Sequence, residues 1–186
     1  MIIGIIIVAA LLVLLAVFLI STYNSLVQLR QRVQNAWSQV DVQLKRRYDL
    51  IPNLVNAVKG YAQHEKDTLQ KVTQARNMAI AAGSVAEQAQ AENLLSGALK
   101  SLFAVAEAYP ELKANTNFMQ LQNELTDTES KIAFSRQFYN DTVQKFNTKI
   151  ELFPANLVAG MLGFGIVDYF SLQGEPEARQ TVQVNF

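Results

Sequence analysis

The sequence predicts an all-α protein: an N-terminal single transmembrane helix followed by an up-and-down antiparallel four-helix bundle with long helices and a short C-terminal apolar segment. Three observations support this fold class. Residues 2–20 carry no charged or polar side chain. From residue 26 to residue 153, apolar residues recur in steps of three and four, which is the period of an amphipathic helix. Only 4 prolines and 8 glycines interrupt the 186 residues.

The composition narrows the possible functions. The formal charge is zero, with 16 basic and 16 acidic residues, so no net field attracts nucleic acid. The chain has no cysteine and one histidine, which excludes a thiol nucleophile and any zinc or di-iron site that needs paired histidines. We therefore expect no cofactor, no metal, no nucleic-acid partner and no catalytic residue.

The apolar run defines a predicted anchor, residues 1–21. Its 19 residues would span about 28 Å as a helix, close to the thickness of the bilayer hydrocarbon. A cleaved signal peptide is the alternative, but no basic stretch precedes the run and no small-residue cleavage site follows it. Arg30 and Arg32 follow the span, so the positive-inside rule predicts a single-pass membrane protein with its N-terminus out and its bundle in the cytoplasm.

The predicted bundle, residues 22–153, begins with a helix from Tyr23 to Tyr48. Its apolar stripe places Trp37 and Leu44 in the core. The cluster Lys45-Arg46-Arg47 is interpreted as a solvated or ion-paired helix end, since no second basic turn reinforces it.

The stretch from Tyr48 to Val55 interrupts this stripe. Pro52 lacks an N–H group and clashes with the carbonyl four residues back, and Asp49 could cap a helix that restarts. We predict a helix–helix turn formed by Asp49, Pro52 and Asn53; a kink in one very long helix is the alternative.

The second helix is predicted from Pro52 to Ala82, with Tyr61 and His64 in its core or seam. Ser84 and Glu87 match a capping box, which predicts a third helix from Val85 to Tyr109.

The fourth helix is predicted from Asn117, its cap, to Phe153. Its stripe alternates threes and fours, as in coiled coils, and includes polar positions such as Tyr139. Such layers more often fix the register of packed helices than form a binding site.

Residues 154–170 form a predicted apolar segment that contacts the membrane or another protomer. An up-and-down bundle would return this segment to bilayer level, and a patch of this size is rarely left exposed to water. Folding back over the bundle as ordinary core is the alternative. The contact residues are predicted to be Leu157, Met161, Phe164, Ile166 and Phe170. Residues 171–186 are predicted to be an extended tail, which ends in a strand-like alternation from Thr181 to Phe186.

The motifs of the predicted bundle resemble those of the LemA family. The resemblance covers nearly the whole part after the anchor and loosens after Phe164. It rests on the following stretches: Tyr23 to Val27, Ala36 to Val55, Val58 to Ala62, His64-Glu65, Ala75 to Asn77, Leu102 to Pro110, Leu112 to Asn115, Thr128-Glu129, Ile132-Ala133, Ser135-Arg136, Tyr139-Asn140 and Phe153-Pro154. It implies an N-terminally anchored bacterial membrane protein with a four-helix bundle, and it implies no reaction.

Three classes of function follow. The first is a non-enzymatic structural or scaffold protein that assembles with itself or organises a membrane patch, with the lipid bilayer and further copies as partners. The second is an accessory subunit or adaptor of a membrane protease or envelope-stress system, with a membrane protein as partner. An enzyme is the least supported, because no nucleophile lies beside a base and no phosphate-binding loop is present.

Overall fold

The computed structural model of the protein describes residues 1–62 and 64–171. These residues form six helices and no strand, so the all-α prediction is confirmed for them. The helices α1 to α6 are Ile2–Lys59, Lys66–Ala81, Val85–Glu107, Pro110–Lys113, Thr116–Glu151 and Ala155–Met161. The predicted strand-like end of the tail, Thr181 to Phe186, lies outside the described residues.

The chain divides into two compact units. Unit 1 contains Met1–Gln39 and Gln137–Asp168, and unit 2 contains Val40–Arg136 together with the described residues from Tyr169 onward. Helices α1 and α5 each contribute residues to both units.

The first part of α1 exposes a continuous apolar surface. From Ile2 to Ile20 every side chain is exposed except that of Phe18, which is half-buried. Among the residues that the structure describes, α1 is the one helix long and apolar enough to cross a membrane.

Unit 1 is held together by apolar contacts between α1, α5, α6 and the segment that follows α6. The ring of Trp37 meets the ring of Tyr139 edge-on, with centroids 5.2 Å apart, a preferred geometry for an aromatic pair. The buried apolar residues repeat at helical spacing, as expected of facing stripes: Leu26, Val33 and Ala36 on α1, Tyr139, Val143, Phe146 and Ile150 on α5, and Ala155, Val158 and Ala159 on α6.

Unit 2 buries a second apolar core. Helix α2 is joined to α3 by a short connection, and Ser84 caps α3 by accepting a hydrogen bond from the Glu87 amide at 3.2 Å. The predicted cap is therefore confirmed, although the Glu87 carboxylate reaches back to the amide of Gly83 at 2.8 Å. The largest apolar side chains of this core with under 2% exposure are Leu44, Ile51, Leu54, Leu95, Leu102, Leu112, Leu125 and Phe170.

The prediction of a turn at Asp49, Pro52 and Asn53 is wrong. All three residues lie inside α1, which continues to Lys59. The chain leaves the helix at Gly60, where the amides of Tyr61 and Ala62 both donate to the carbonyl of Val58.

A distant side chain explains how α1 accommodates its proline. Pro52 has no N–H to donate to the carbonyl of Tyr48, four residues back. The Nε of Arg76 on α2 donates to that same carbonyl at 2.8 Å. The helix therefore loses one internal hydrogen bond at Pro52 without leaving a buried acceptor unpaired.

The start of α5 also differs from the prediction, by two residues. Asn115 and not Asn117 caps the helix, because the Asn115 Oδ1 accepts a hydrogen bond from the Phe118 amide at 3.1 Å. Both asparagines are suitable caps by type, so only the backbone path selects between them.

Candidate functional site

A group of polar side chains buried in unit 2 forms the first candidate site. We call it the Arg47 network; its members are Arg47 and Tyr48 on α1, Gln88, Glu92 and Ser96 on α3, and Glu129 on α5. The side chains of Arg47 and Glu92 are 2% and 3% exposed. A charged pair buried to this extent is unusual and must be matched by close partners.

Arg47 forms the centre of the network. Its Nη1 lies 2.7 Å from Glu92 Oε2. Its Nη2 donates to Ser96 Oγ at 2.9 Å and lies 2.7 Å from Glu129 Oε1. Among the described residues, its buried Nε has no hydrogen-bond partner. One guanidinium thus ties α1 to α3 and to α5 within unit 2.

The second oxygen of Glu92 is satisfied by neutral groups. The hydroxyl of Tyr48 donates to Glu92 Oε1, and the Nε2 of Gln88 donates to the same oxygen at 3.0 Å. Gln88 also donates to the carbonyl of Ala79 on α2 at 3.1 Å. The buried carboxylate therefore has partners on both of its oxygens, and the network reaches α2 as well.

Burial and charge shift two ionisable groups of the network. Burial, with a further contribution from Glu92, raises the pKa of the Tyr48 hydroxyl well above its ordinary value, so the phenol stays neutral and keeps donating. Burial also raises the pKa of Glu129, and this effect outweighs the attraction of Arg47. The attraction is insufficient because Arg47 is shared with Glu92, whose negative charge acts on Glu129 in the opposite direction.

A cavity of about 150 Å³ lies beside the network. Arg47, Glu92 and Glu129 line it together with Arg136 and Phe170, so it carries two cations and two carboxylates. No cluster of three or more metal-type ligands occurs among the described residues. The arrangement brings opposite charges together within unit 2, and its described members offer no activated nucleophile.

An apolar groove in unit 1 is the second candidate site. We call it the α6 groove; it is open, encloses about 460 Å³ and is lined almost entirely by apolar surface. One wall comes from the end of the apolar run of α1, and the other from α6 and the residue after it. The lining residues are Leu19, Ile20, Tyr23, Val158, Met161 and Leu162.

Aromatic rings and a cation lie next to this groove. The ring of Phe164 meets the rings of Tyr23 and Phe146 edge-on, with centroids 6.2 and 6.4 Å apart. The guanidinium carbon of Arg30 lies 5.2 Å from the centroid of Phe164, within the range of a cation–π contact.

The extended segment after α6 is fixed to α5 by polar side chains of unit 1. The Nδ2 of Asn147 donates to the carbonyl of Val167 at 2.9 Å, and its Oδ1 accepts from the Val167 amide at 3.0 Å. The hydroxyl of Tyr139 donates to the carbonyl of Asp168 at 2.9 Å. Burial raises the pKa of Tyr139 to about 12, so this donor is protonated at neutral pH.

The residues predicted to lie in the core or seam differ in their burial. Leu44 and Tyr139 are buried, and Trp37 is half-buried. Tyr61 and His64 are exposed, so their assignment to the core or seam is wrong. Helix α1 ends before it reaches these two residues, so they lie in the connection between α1 and α2. There the hydroxyl of Tyr61 accepts a hydrogen bond from Asn115 at 3.0 Å.

The residues predicted to contact the membrane or another protomer also differ in their exposure. The side chains of Leu157, Met161 and Ile166 are exposed, and Phe164 is half-buried under Arg30. Phe170 is 1% exposed in unit 2, so its assignment as a contact residue is wrong. Its side chain instead lines the cavity beside the Arg47 network.

The Arg47 network was not predicted from the sequence, because Arg47 adjoins Lys45 and Arg46 in a cluster typical of a solvated helix end. A signal was present: Arg47 lies three residues after Leu44 and four before Ile51, on the apolar stripe of α1. Glu92 likewise precedes Leu95 and Leu99 on the stripe of α3. Two opposite charges on the apolar stripes of two helices predict a buried ion pair between them.

These features define a class of protein: an all-helical chain, over the residues described, with one N-terminal helix long and apolar enough to cross a membrane. The sequence model of the LemA family matches residues 36–186. The chain belongs to the LemA family, as the resemblance of its motifs implied.

Named relatives agree with this assignment. A protein LemA of Metamycoplasma hominis is 32% identical over 143 residues, which cover 75% of this chain and 64% of that protein. The magnetosome proteins MamQ 1 and MamQ 2 of Paramagnetospirillum magneticum are each 26% identical over 178 residues, 82% of this chain and 65% of each relative. The chain therefore spans somewhat less than two thirds of the length of these relatives, and none of their names states an enzymatic activity.

Proposed function

We propose that this protein is a non-enzymatic, membrane-anchored helical scaffold, which assembles with further copies of itself and organises a patch of membrane. One observation carries the proposal: the α6 groove joins the end of the apolar run of α1 to α6. An α6 that lies beside Leu19 and Ile20 is at the level where a spanning α1 leaves the bilayer.

The exposed side of the segment 154–170 supports the assembly. Leu157, Met161 and Ile166 are each more than half exposed, and clustered apolar side chains of this kind mark membrane or protein interaction sites. At the bilayer surface such side chains can insert among lipids or pack against another protomer.

The proposal includes an antiparallel, up-and-down arrangement of α1, α2, α3 and α5. Within unit 2 it is supported by the short connection between α2 and α3 and by the Gln88 hydrogen bond to Ala79 across it. The magnetosome relatives are named for a membrane compartment, which is compatible with a role in organising a membrane.

The anchor can be tested on the full chain expressed in a bacterium. We expect the protein to remain in the membrane pellet after carbonate washing and to retain its apolar N-terminal run by intact-mass analysis. Recovery in the supernatant would contradict the anchor. A mature form lacking the run would contradict it as well.

The orientation can be tested with one cysteine, because the chain contains none. We propose a cytoplasmic location for the residues that follow the anchor, since Arg30 and Arg32 flank it on that side. A Lys113→Cys variant, exposed at the end of α4, should resist a membrane-impermeant thiol reagent in intact cells and react after permeabilisation. Labelling in intact cells would place unit 2 outside.

Self-assembly can be tested by counting protomers in native membranes, for example by stepwise photobleaching of a fluorescent fusion. Leu157→Asn combined with Met161→Gln should lower the number of protomers per particle while the helix content stays the same. Phe134→Gln is the control, because Phe134 is exposed to a similar degree and lies outside the segment 154–170. A single protomer bound to a stoichiometric foreign membrane protein would instead favour the accessory-subunit function.

A further inference from the structure

The α6 groove has a shape and a chemistry that identify one kind of occupant. It is open along one side, encloses about 460 Å³, and has almost no polar surface. A helix with its side chains is about 10 Å across and rises 5.4 Å per turn, so roughly one helical turn would fill that volume. A slender, extended hydrocarbon chain fits an open groove of this size better than a second helix does.

The position of the groove decides which hydrocarbon chain is available; this step rests on the membrane placement proposed above. Leu19 and Ile20 form one wall and belong to the apolar run that would span the bilayer. A groove with that wall opens into the outer part of the hydrocarbon layer. The chains present there are the acyl chains of phospholipids.

The cationic side chain of Arg30 lies near the level at which the phosphate of such a phospholipid would lie. Arg30 is ten residues after Ile20, about 15 Å along the helix. Side chains of an α-helix tilt toward its N-terminus, so the guanidinium of Arg30 points back toward the bilayer. Tyr23 belongs to the groove, the ring of Phe164 packs on Tyr23, and Arg30 lies over Phe164.

The charges that α1 carries near this position favour an anion. Residues 1–40 contain Arg30 and Arg32 and no acidic residue. A guanidinium that stacks on an aromatic face keeps the N–H groups of its edge available, and this edge matches a phosphate geometrically.

We propose that the α6 groove binds one acyl chain of a bilayer phospholipid, and that Arg30 pairs with the phosphate of the same lipid. The bound lipid would fill the space between α6 and the end of the anchor. The bound lipid would thereby help to stabilise unit 1.

The experiment uses the full chain reconstituted in phosphatidylcholine vesicles that contain a trace of phospholipid with a nitroxide on its acyl chain. Electron paramagnetic resonance separates lipids that are motionally restricted by protein from fluid lipids. For the unaltered protein we expect a restricted component that is larger for labelled phosphatidylglycerol than for labelled phosphatidylcholine.

Two substitutions of leucine by tryptophan test the groove. Leu162→Trp fills it and should remove most of the restricted component. Leu152→Trp is the matched control: Leu152 is exposed to nearly the same degree but neither lines the groove nor belongs to the segment 154–170, and its variant should keep the component. Should Leu162→Trp fail to fold, Met161→Trp at the rim provides a second block. Equal loss in the groove variant and in Leu152→Trp would mean an ordinary shell of lipid around the protein and would overturn the proposal.

Arg30→Gln tests the headgroup contact. It should keep the restricted component but reduce the preference for phosphatidylglycerol several-fold, toward equality; Arg32→Gln should reduce it less. An unchanged preference in Arg30→Gln would overturn the role of Arg30.

Two further outcomes distinguish the alternatives. Efficient disulfide cross-linking of Leu162→Cys between chains, without a restricted lipid component, would show that a second copy occupies the groove. Flotation of the protein with the vesicles separates the two proposals: a protein that floats but restricts no lipid refutes the lipid site alone, and a protein that does not float refutes the membrane anchor as well.

Discussion

The Nε of Arg76 donates a 2.8 Å hydrogen bond to the backbone carbonyl of Tyr48, and this is the carbonyl that Pro52 leaves without a helical partner. The side chain of one helix thus replaces a backbone donor missing from another. Tyr48 also belongs to the Arg47 network through its hydroxyl. The continuity of α1 and the geometry of the network therefore depend on the same residue.

Removing the Arg76 donor should destabilise unit 2 through that carbonyl. Arg76→Ala removes the donor of this part-buried acceptor, and the cost is at most that of a buried acceptor left unpaired, about 1–3 kcal/mol. Pro52→Ala restores an N–H group at the position that can reach the Tyr48 carbonyl, so it should recover part of the loss. Urea unfolding followed by far-ultraviolet circular dichroism measures both variants and the double variant.

Asn53→Ala is the control for this cycle, since Asn53 already has a helical N–H group and its side chain is exposed. In combination with Arg76→Ala it should give an additive effect. If the effects of Arg76→Ala and Pro52→Ala on the free energy of unfolding were also additive, the two residues would not be linked through the Tyr48 carbonyl.

Because Arg47 and Glu92 form a buried ion pair, we expect substitution of one of them alone to lower the free energy of unfolding substantially. Arg47→Met leaves the Glu92 carboxylate buried with one cationic partner fewer, and breaking a buried pair in this way typically costs about 3–5 kcal/mol. Arg47→Met with Glu92→Met removes both charges and should cost less than Arg47→Met alone. Denaturant unfolding of the unaltered protein, the single variant and the double variant checks this order.

Arg46→Met provides the matched control on the same helix. Arg46 is exposed and its contact with Asp127 is 3.9 Å long, and exposed pairs of this kind contribute about 0–1 kcal/mol. A similar cost for Arg46→Met and Arg47→Met would contradict the assigned role of Arg47.

The raised pKa of Glu129 should appear in the pH dependence of stability. The folded state holds the proton to higher pH than the unfolded state, whose value is near 4.5. The stability contributed by this group is therefore fully present below 4.5 and is lost as pH rises through the raised folded value. Comparison of the unaltered protein with Glu129→Gln should show the unaltered protein losing relative stability across that window.

Urea midpoints at a series of pH values from about 4 upward measure this difference. Glu124→Gln is the control, since it changes a carboxylate of the same helix that lies outside the Arg47 network. A relative gain in stability of the unaltered protein as pH rises would mean that the attraction of Arg47 outweighs burial at Glu129.

Asn147 should protect the backbone of the segment after α6. Its side chain pairs with both the carbonyl and the amide of Val167. Asn147→Ala should therefore raise hydrogen exchange at the Val167 amide about tenfold or more, the factor that corresponds to losing about 1.4 kcal/mol of local protection. Hydrogen–deuterium exchange with mass spectrometry of the reconstituted protein measures it.

Gln144→Ala is the control on α5, because Gln144 is exposed and one turn away from Asn147. It should leave exchange at Val167 unchanged. Equal exchange in the unaltered protein and in Asn147→Ala would show that the contact adds no local stability.

Features that depend on neighbouring residues in the chain were predictable from the sequence. The apolar run from Ile2 to Ile20 and the steps of three and four that follow it predict helices, because a helix brings such positions onto one face. The Ser84 cap was predictable for the same reason: its hydroxyl bonds an amide only three residues away. The family could be recognised from its motifs.

The tertiary structure alone decided the features that depend on distant residues. Pro52 lies inside α1, and Arg76, 24 positions later, donates to the carbonyl that the proline leaves without a helical partner. Arg47 is buried and Lys45 is exposed, because only Arg47 meets a carboxylate on α3. The sequence by itself determined which segments are helical and which are apolar. Where the long helix ends and which charge is buried depended on hydrogen bonds and ion pairs between elements, whose energies no local pattern contains.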